Sequence, residues 1–283
     1  MNGSPSPPAK RPVQQHAIDQ LHGDASQLKP KRLRVRWDLW LGFVIWTALA
    51  VAAYAVYSGA INLPERYHTY YPWAPLDVLA TPNFLTPYKL ARARNDPVAC
   101  LSALSRSGMQ YQELPDRVTG PDCGFENAVR VQTASIRLGA PLTLSCPMAL
   151  SFSMWERHAL QAAAGQRFGE AVVAVEHLGS YVCRNVNTGE GAAPRAASGN
   201  RSRHATANAL DIASLTLASG KRITVLNDFQ RRDADVPATP ESLFMNDVQA
   251  GACSYFKGVL GPNYNAVHRD HLHLETGGFS ICR

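Results

Sequence analysis

The chain has 283 residues, an apolar content of 46% and a formal net charge of +6, which together exclude a wholly disordered protein. Residues 1–38 hold seven cations and three anions and so supply +4 of that charge. The remainder is nearly neutral and offers no electrostatic footprint for nucleic acid, so we expect no nucleic-acid partner.

The N-terminal residues predict a tail followed by a membrane anchor. Residues 1–38 are polar and basic without an apolar period, which indicates a disordered cytoplasmic tail. Leu39 to Tyr57 is 19 residues without a charge, enough to cross a hydrocarbon core of about 30 Å, and we assign the anchor to residues 39–60. The basic residues before it predict a single-pass protein of the cytoplasmic (inner) membrane with its C-terminal domain in the periplasm. A cleaved signal sequence is the alternative.

Residues 61–98 contain six prolines and predict an extended linker, which leaves residues 99–283 as the folded domain. All six cysteines lie beyond the apolar segment, and an even number there favours disulfides in an oxidising compartment. Sequence does not determine their pairing. The expectation is sequential pairing: Cys100 with Cys123, Cys146 with Cys183, and Cys253 with Cys282.

Helix and strand patterns in the domain do not alternate regularly, which predicts an α+β fold with an antiparallel sheet flanked by helices. Proline in the first turn and helical apolar spacing mark the helices, and short β-rich runs mark the strands. The predicted helices are 147–166 and 242–260, and the predicted strands are 171–176, 209–217, 222–226 and 271–274.

Two separated stretches combine histidine with aspartate. The first contains His204 and Asp211, at the entrance of a predicted strand, and the second contains Asp270, His271 and His273. Alternate residues of a strand share a face, so His271 and His273 should face one cleft. Asp270 should lie at the strand entrance, where the chain can turn its carboxylate inward.

A zinc ion held by His204, Asp211 and His273 would leave its fourth position to water, as catalytic zinc sites do. Such a water has a pKa near about 7, and Asp270 is placed to take its proton. Each motif alone has a simpler explanation. Two histidines spaced this way are usually exposed or satisfied by hydrogen bonds, and Asp211 could cap or pair within the fold.

The pattern S-x-H-x-x-x-x-A-x-D followed by D-H-x-H resembles the zinc peptidases that include lysostaphin-type enzymes, D-Ala-D-Ala carboxypeptidases and the hedgehog signalling domain. It is most similar to the bacterial extensin-like C-terminal domain family. The likeness extends from Cys100 to Arg283, including Gly-Ser-Tyr-Val-Cys-Arg at 179–184. The peptidases usually carry glycine three residues after the first histidine, where this chain has Ala207.

This resemblance implies a single zinc site and a role for each matching residue. It implies zinc ligation by His204, Asp211 and His273, and Asp270 as general base. The further implied roles are a substrate-facing or water-orienting histidine at His271, an oxyanion-stabilising arginine at Arg184, and a supporting serine at Ser202.

A zinc-dependent hydrolase of cell-wall peptides is therefore the expected function, either a peptidoglycan endopeptidase or a D,D-carboxypeptidase-like enzyme. The alternative is a non-catalytic zinc-containing periplasmic domain that binds cell wall or a protein partner. A third interpretation is a disulfide-rich domain without metal. Among other residues, His268 is predicted at the rim of the site. Arg201 and Arg203 are predicted to be solvated loop charges or contacts for an anionic substrate terminus.

Overall fold

The computed structural model describes residues 37–187, 200–231 and 237–283. The tail predicted over 1–38 lies outside these residues except at its last two positions. The chain divides into two compact units, Met1–Leu63 and Pro64–Arg283.

The described residues of the first unit contain one helix, α1 (Trp37–Tyr57). Its segment Leu39–Tyr57 is long and apolar enough to cross a membrane. A signal sequence near an N-terminus has the same character. The helix therefore fits a membrane span or a signal anchor, whereas the kind of membrane and the orientation stay predictions.

The second unit contains short helices and strands. Its α-helices are α2 (Thr86–Arg94), α3 (Pro97–Ser105), α4 (Cys146–Trp155), α5 (Gln161–Phe168), α6 (Val225–Asp228) and α7 (Pro240–Ala252). A π-helical turn (Glu156–Leu160) joins α4 to α5, and 3₁₀ turns occupy Glu65–Tyr70, Arg203–Thr206 and Ala266–His268.

Its strands are β1 (Gln110–Leu114), β2 (Arg117–Gly120), β3 (Cys123–Phe125), β4 (Ala128–Thr133), β5 (Arg137–Leu138), β6 (Leu142–Ser145), β7 (Val172–Gly179), β8 (Ala209–Leu217), β9 (Arg222–Thr224), β10 (Gly258–Leu260), β11 (Leu272–Glu275) and β12 (Ile281–Cys282).

The longer helices begin as their sequences require. Proline occupies the first turn of α3, α4 and α7, where its missing N–H is not needed. A polar residue precedes each: Asp96 and Ser145 accept hydrogen bonds from the first-turn backbone, and Thr239 forms a capping box with Ser242.

The main sheet has the strand order β12-β10-β11-β8-β7-β5, with β9 also paired to β8. Its central pairings are antiparallel, whereas β12 and β5 pair in parallel at its two edges. A smaller antiparallel sheet, β1-β4-β6, and the hairpin β2-β3 complete the strands of the described residues. The predicted α+β class with antiparallel sheets is confirmed.

The hydrophobic core lies where α4, α5 and α7 pack together beside the main sheet. Phe152, Trp155 and Phe244 are completely buried there. The indole of Trp155 also donates a hydrogen bond to the Val248 carbonyl at 3.2 Å. The same core includes buried residues of both sheets, such as Leu144 on β6 and Leu215 on β8.

The helix predicted over 242–260 ends at Ala252 instead. Phe256 and Val259 are buried, as they would also be in a helix. However, Gly258–Leu260 forms β10 and pairs with β11. An apolar run beside a sheet edge satisfies its backbone by strand pairing, which helical spacing alone does not reveal.

The extended linker predicted over 61–98 is wrong for much of its length. The compact second unit begins at Pro64, and α2 lies within the supposed linker. Leu76, Val78 and Leu90 belong to the hydrophobic core. The prolines here lie at the edges of turns and at the starts of helices, so proline content was a poor guide to whether the chain is extended.

Two of the three expected disulfides are wrong. The structure pairs Cys100 with Cys146 and Cys123 with Cys183, in place of Cys100 with Cys123 and Cys146 with Cys183. The reason is packing, because α3 lies against α4 and the β2-β3 hairpin lies beside the segment that follows β7. The third pair, Cys253 with Cys282, agrees with the expectation.

A Leu90→Ala substitution tests whether the supposed linker belongs to the domain. Leu90 is completely buried, so the change should lower the free energy of unfolding by about 2–5 kcal/mol. Leu79→Ala is the matched control, since Leu79 is 54% exposed in the same segment, and should cost about 0.5 kcal/mol. Equal, small losses in chemical unfolding of the full-length chain would show that residues 64–98 do not pack.

Candidate functional site

The pairing of β8 with β11 brings two of the candidate residues together. In this antiparallel register, His273 lies directly opposite Asp211. Directly opposed residues of a strand pair carry their side chains on the same face, with Cβ atoms about 4.5–5.5 Å apart. The sheet therefore places an imidazole and a carboxylate side by side although they are distant in sequence.

The third candidate, His204, lies in the 3₁₀ turn just before β8. Ser202 caps this turn, because its hydroxyl oxygen accepts from the His204 backbone N–H at 3.4 Å. The stretch after β7 runs alongside: the Val182 N–H donates to the His204 carbonyl at 3.2 Å, and the Ser202 N–H donates to the Arg184 carbonyl at 3.0 Å. Ser202 thus has the supporting position expected for it.

His204, Asp211 and His273 form one buried cluster, which could hold a metal ion. The His204 Nε2 atom lies 3.1 Å from Asp211 Oδ2 and 3.3 Å from His273 Nδ1. The His273 Nδ1 atom lies 2.8 Å from Asp211 Oδ1. Two imidazole nitrogens and the two oxygens of one carboxylate, all able to donate electron pairs to a cation, therefore lie close together.

Hydrogen bonds on the far side of each ring determine which nitrogen faces the cluster. The Nδ1–H of His204 donates to the Ser180 carbonyl at 3.0 Å, which leaves its Nε2 facing the cluster. The Nε2 atom of His273 lies 3.1 Å from a Glu275 carboxylate oxygen, which leaves Nδ1 facing inward. Backbone carbonyls and carboxylates in this position typically orient metal-binding histidines.

The electrostatics of the cluster favour a carboxylate beside a positive charge. Burial would raise the pKa of Asp211, but hydrogen bonds and charge from His204 and His273 lower it well below its usual range. Burial would lower the pKa of His273, but the hydrogen bonds and charges of Asp211 and Glu275 have the larger effect and raise the pKa to about 9. The anionic cluster thus attracts a proton or another cation.

Asp270 and His271 form a hydrogen-bonded pair next to the cluster. His271 Nδ1 lies 2.9 Å from Asp270 Oδ1, and its other nitrogen, Nε2, lies 3.7 Å from Asp211 Oδ1. The Asp270 side chain is 41% exposed, and its hydrogen bond to His271 lowers its pKa. Asp270 precedes β11, as expected, but His271 is the member of the pair that contacts the cluster.

His268 lies closer to the cluster than its predicted rim position suggests. Its ring centroid is 5.2 Å from that of His271 and 5.8 Å from that of His273. Its Nδ1 atom is 2.7 Å from the Asn265 side-chain oxygen. Burial, followed by the charges of His271 and His273, lowers the pKa of His268 to about 4, so the imidazole is neutral at neutral pH.

A cleft of 770 Å³ opens over the cluster, and Asp211, His271 and His273 are among its lining residues. This size is in the range of small-ligand sites. Arg184, predicted as the oxyanion residue, also lines it. Arg201 lines it too, but its guanidinium donates to the Pro121 carbonyl and to the Asn185 side chain, so it is not simply a solvated loop charge.

The loop between His204 and Asp211 contains a left-handed residue. Ala207 has φ +54° and ψ +24°, a conformation that normally favours glycine. The chain therefore keeps a left-handed turn there despite its alanine, and Ala207 is completely buried.

Sequence reasoning missed two residues that hold this site. Glu275 contacts His273. It lies two residues after His273 on the same strand, and this spacing predicts that the two side chains share a face. Asn208 accepts hydrogen bonds from the side chains of Ser145 and Thr276 at 2.6 and 3.2 Å, which ties the loop to the start of α4 and the end of β11. Nothing in the local sequence indicated that role.

These features define an α+β domain with three disulfides and a buried His-Asp-His cluster at the floor of a cleft. A sequence model described as "Extensin-like protein C-terminus" matches residues 98–283, well over half of the chain. The chain belongs to this family. No curated protein and no solved structure matches the chain.

Ala→Gly substitutions at Ala207 and Ala205 test the left-handed turn. Both residues are buried in the same loop, but only Ala207 has a positive φ. Ala207→Gly relieves backbone strain that Ala205→Gly does not, so it should be less destabilising by about 1 kcal/mol. Chemical unfolding of the two variants measures this difference. Equal losses would contradict the left-handed conformation.

Proposed function

We propose that the protein is a zinc-dependent hydrolase of cell-wall peptides, either a peptidoglycan endopeptidase or a D,D-carboxypeptidase-like enzyme. The observation that carries this proposal is the buried convergence of His204, Asp211 and His273 at the floor of an open cleft. The similarity of its motifs to those of zinc peptidases supports the same chemistry.

The donor set fits zinc in type and spacing. Two imidazole nitrogens and one carboxylate oxygen are typical zinc ligands, and catalytic sites use three protein ligands. The two nitrogens are 3.3 Å apart, and they lie 2.8 and 3.1 Å from the two different oxygens of the Asp211 carboxylate. Neighbouring ligands at about 2.0–2.1 Å from a tetrahedral ion are separated by about 3.3 Å, so small movements would suffice. When bound, zinc supplies Lewis acidity and lowers the pKa of water to about 7.

We assign proton transfer to the pair formed by His271 and Asp270. Asp270 accepts a hydrogen bond from His271 Nδ1 and so leaves Nε2 free to take a proton on the side of the cluster. This refines the expectation that Asp270 alone is the general base. A peptide leaving group needs the proton returned, which an imidazole with a nearby carboxylate does well.

Arg184 is the proposed partner of the scissile carbonyl oxygen. It lines the cleft with the cluster, and its charge contributes to the lowered pKa of His268, which indicates that the two are close. A guanidinium is always charged and stabilises a developing oxyanion. Arg203 also lines this cleft and could meet a substrate carboxylate.

The proposed location follows from the chain's N-terminal helix and its disulfides. Three disulfides suit an oxidising compartment, and α1 suits an anchor in the inner membrane. A domain in the periplasm would face peptidoglycan peptides as an abundant fixed substrate. Membrane attachment through one helix completes the proposal.

Zinc content and peptidoglycan release test this function together. The purified full-length chain should hold about one zinc ion, measured by elemental mass spectrometry, and release soluble muropeptides from sacculi. A chelator should stop release, and added zinc should restore it. His204→Ala should lose zinc and activity, whereas His177→Ala, outside the cleft, should keep both.

His271→Gln separates the metal from the proton-transfer pair. It should retain zinc and reduce turnover by about 10²–10⁴-fold, because its side chain cannot carry the proton. Turnover at the parental rate would refute the assignment of His271. Retained zinc without release from any peptidoglycan type, in the parent chain, would favour the non-catalytic binding domain.

Glu275 should affect zinc binding without touching the metal. Its carboxylate contacts His273 Nε2, and substitutions of such orienting groups typically weaken metal affinity about 10–100-fold. We expect a loss of zinc affinity near the low end of this range for Glu275→Gln and near the high end for Glu275→Ala, measured by competition with a zinc chelator. Glu176→Gln, on β7 and paired to Arg222 outside the cleft, is the control. Unchanged affinity in Glu275→Ala would contradict this orienting role.

A further inference from the structure

The surface formed by residues 67–88 exposes an unusual number of large apolar side chains. Phe84 is 78% exposed and Tyr88 is 53% exposed. The others with large exposed area are Tyr67, Tyr70, Trp73 and Leu79. Exposed apolar groups that cluster in this way mark an interaction site, whereas scattered ones do not.

Two of these side chains lie side by side. The rings of Tyr70 and Phe84 are 6.2 Å apart between centroids. The Asn83 side chain donates to the Thr69 carbonyl at 3.3 Å, which ties the 3₁₀ turn to the start of α2. The aromatic surface, defined as residues 67–88, is therefore a folded feature of the second unit.

Cationic groups border the aromatic surface. Lys89 is buried beside it and donates from its ammonium to the Thr69 carbonyl at 2.7 Å, which uses one of its three N–H groups. Lys89 and Arg106 are among the residues that line a 660 Å³ groove beside this surface. Aromatic side chains next to lysine and arginine are typical of the zone where membrane meets water.

The order of the sequence indicates which partner this surface meets. Helix α1 ends at Tyr57 and the second unit begins at Pro64, so six residues separate them. Six residues can extend by no more than about 20–25 Å. If α1 crosses a bilayer, the headgroup region is thus within covalent reach of the first residues of the second unit.

We propose that the aromatic surface docks on the lipid bilayer in which α1 is anchored, with the exposed rings in the interfacial zone. This inference does not depend on the zinc chemistry. If the surface docks, α1 is not the sole attachment to the membrane. The second attachment limits how the domain can rotate, and it therefore restricts the orientation of the cleft over the His-Asp-His cluster.

Fluorescence quenching by lipid tests this docking. All six native cysteines are disulfide-bonded, so Thr81→Cys provides one thiol for bimane on the aromatic surface. Val118→Cys, at a position 87% exposed on β2, is the control. The full-length chain is placed in nanodiscs of phosphatidylethanolamine and phosphatidylglycerol that carry a headgroup spin label.

Docking predicts that bimane at position 81 is quenched at least about twofold more than bimane at position 118. Phe84→Ser combined with Tyr88→Ser should bring position 81 down to the control value. Because both side chains are exposed, these changes should leave the fold intact, which circular dichroism can verify.

Equal quenching at the two positions would overturn the proposal, and so would failure of the chain to enter the nanodisc. Shielding of position 81 in lipid-free detergent that grows with protein concentration would also overturn it, because a second copy of the chain would then cover the surface. Loss of zinc or of hydrolase activity would leave this result unaffected.

Discussion

The register between β8 and β11 is the constraint on which the site depends. It places Asp211 opposite His273 in the centre of the main sheet. Side chains alternate from face to face along a strand, so a slip of one residue would turn His273 away from Asp211. The neighbouring strands β7 and β10, and the disulfide that fixes the C-terminus at Cys282, hold this register in place.

A buried group of two imidazoles and a carboxylate is costly unless every polar atom is satisfied. The surrounding chain meets this requirement with the Ser180 carbonyl and the Glu275 carboxylate. The stretch 180–187 is itself fixed by the Cys123–Cys183 disulfide and carries Arg184 beside the His204 loop. Stability and preorganisation of the site therefore come from the same contacts.

Strand alternation predicted that His271 and His273 would share a face, and the resemblance to zinc peptidases supplied the grouping of His204, Asp211 and His273, whose side chains lie together in the structure. The α+β class followed from the irregular order of helix and strand patterns. Long-range packing was not predictable: the Cys100–Cys146 pairing depends on how α3 lies against α4. The proline content of residues 61–98 likewise favoured an extended linker, although Leu90 belongs to the core.

We propose that the three side chains share one zinc ion and leave part of its coordination open. Zinc K-edge X-ray absorption of the metal-loaded full-length chain tests it directly. We predict a four-coordinate shell of nitrogen and oxygen atoms at about 2.0–2.1 Å, with scattering from two imidazole rings. Sulfur at about 2.3 Å, or a shell without imidazole, would contradict it.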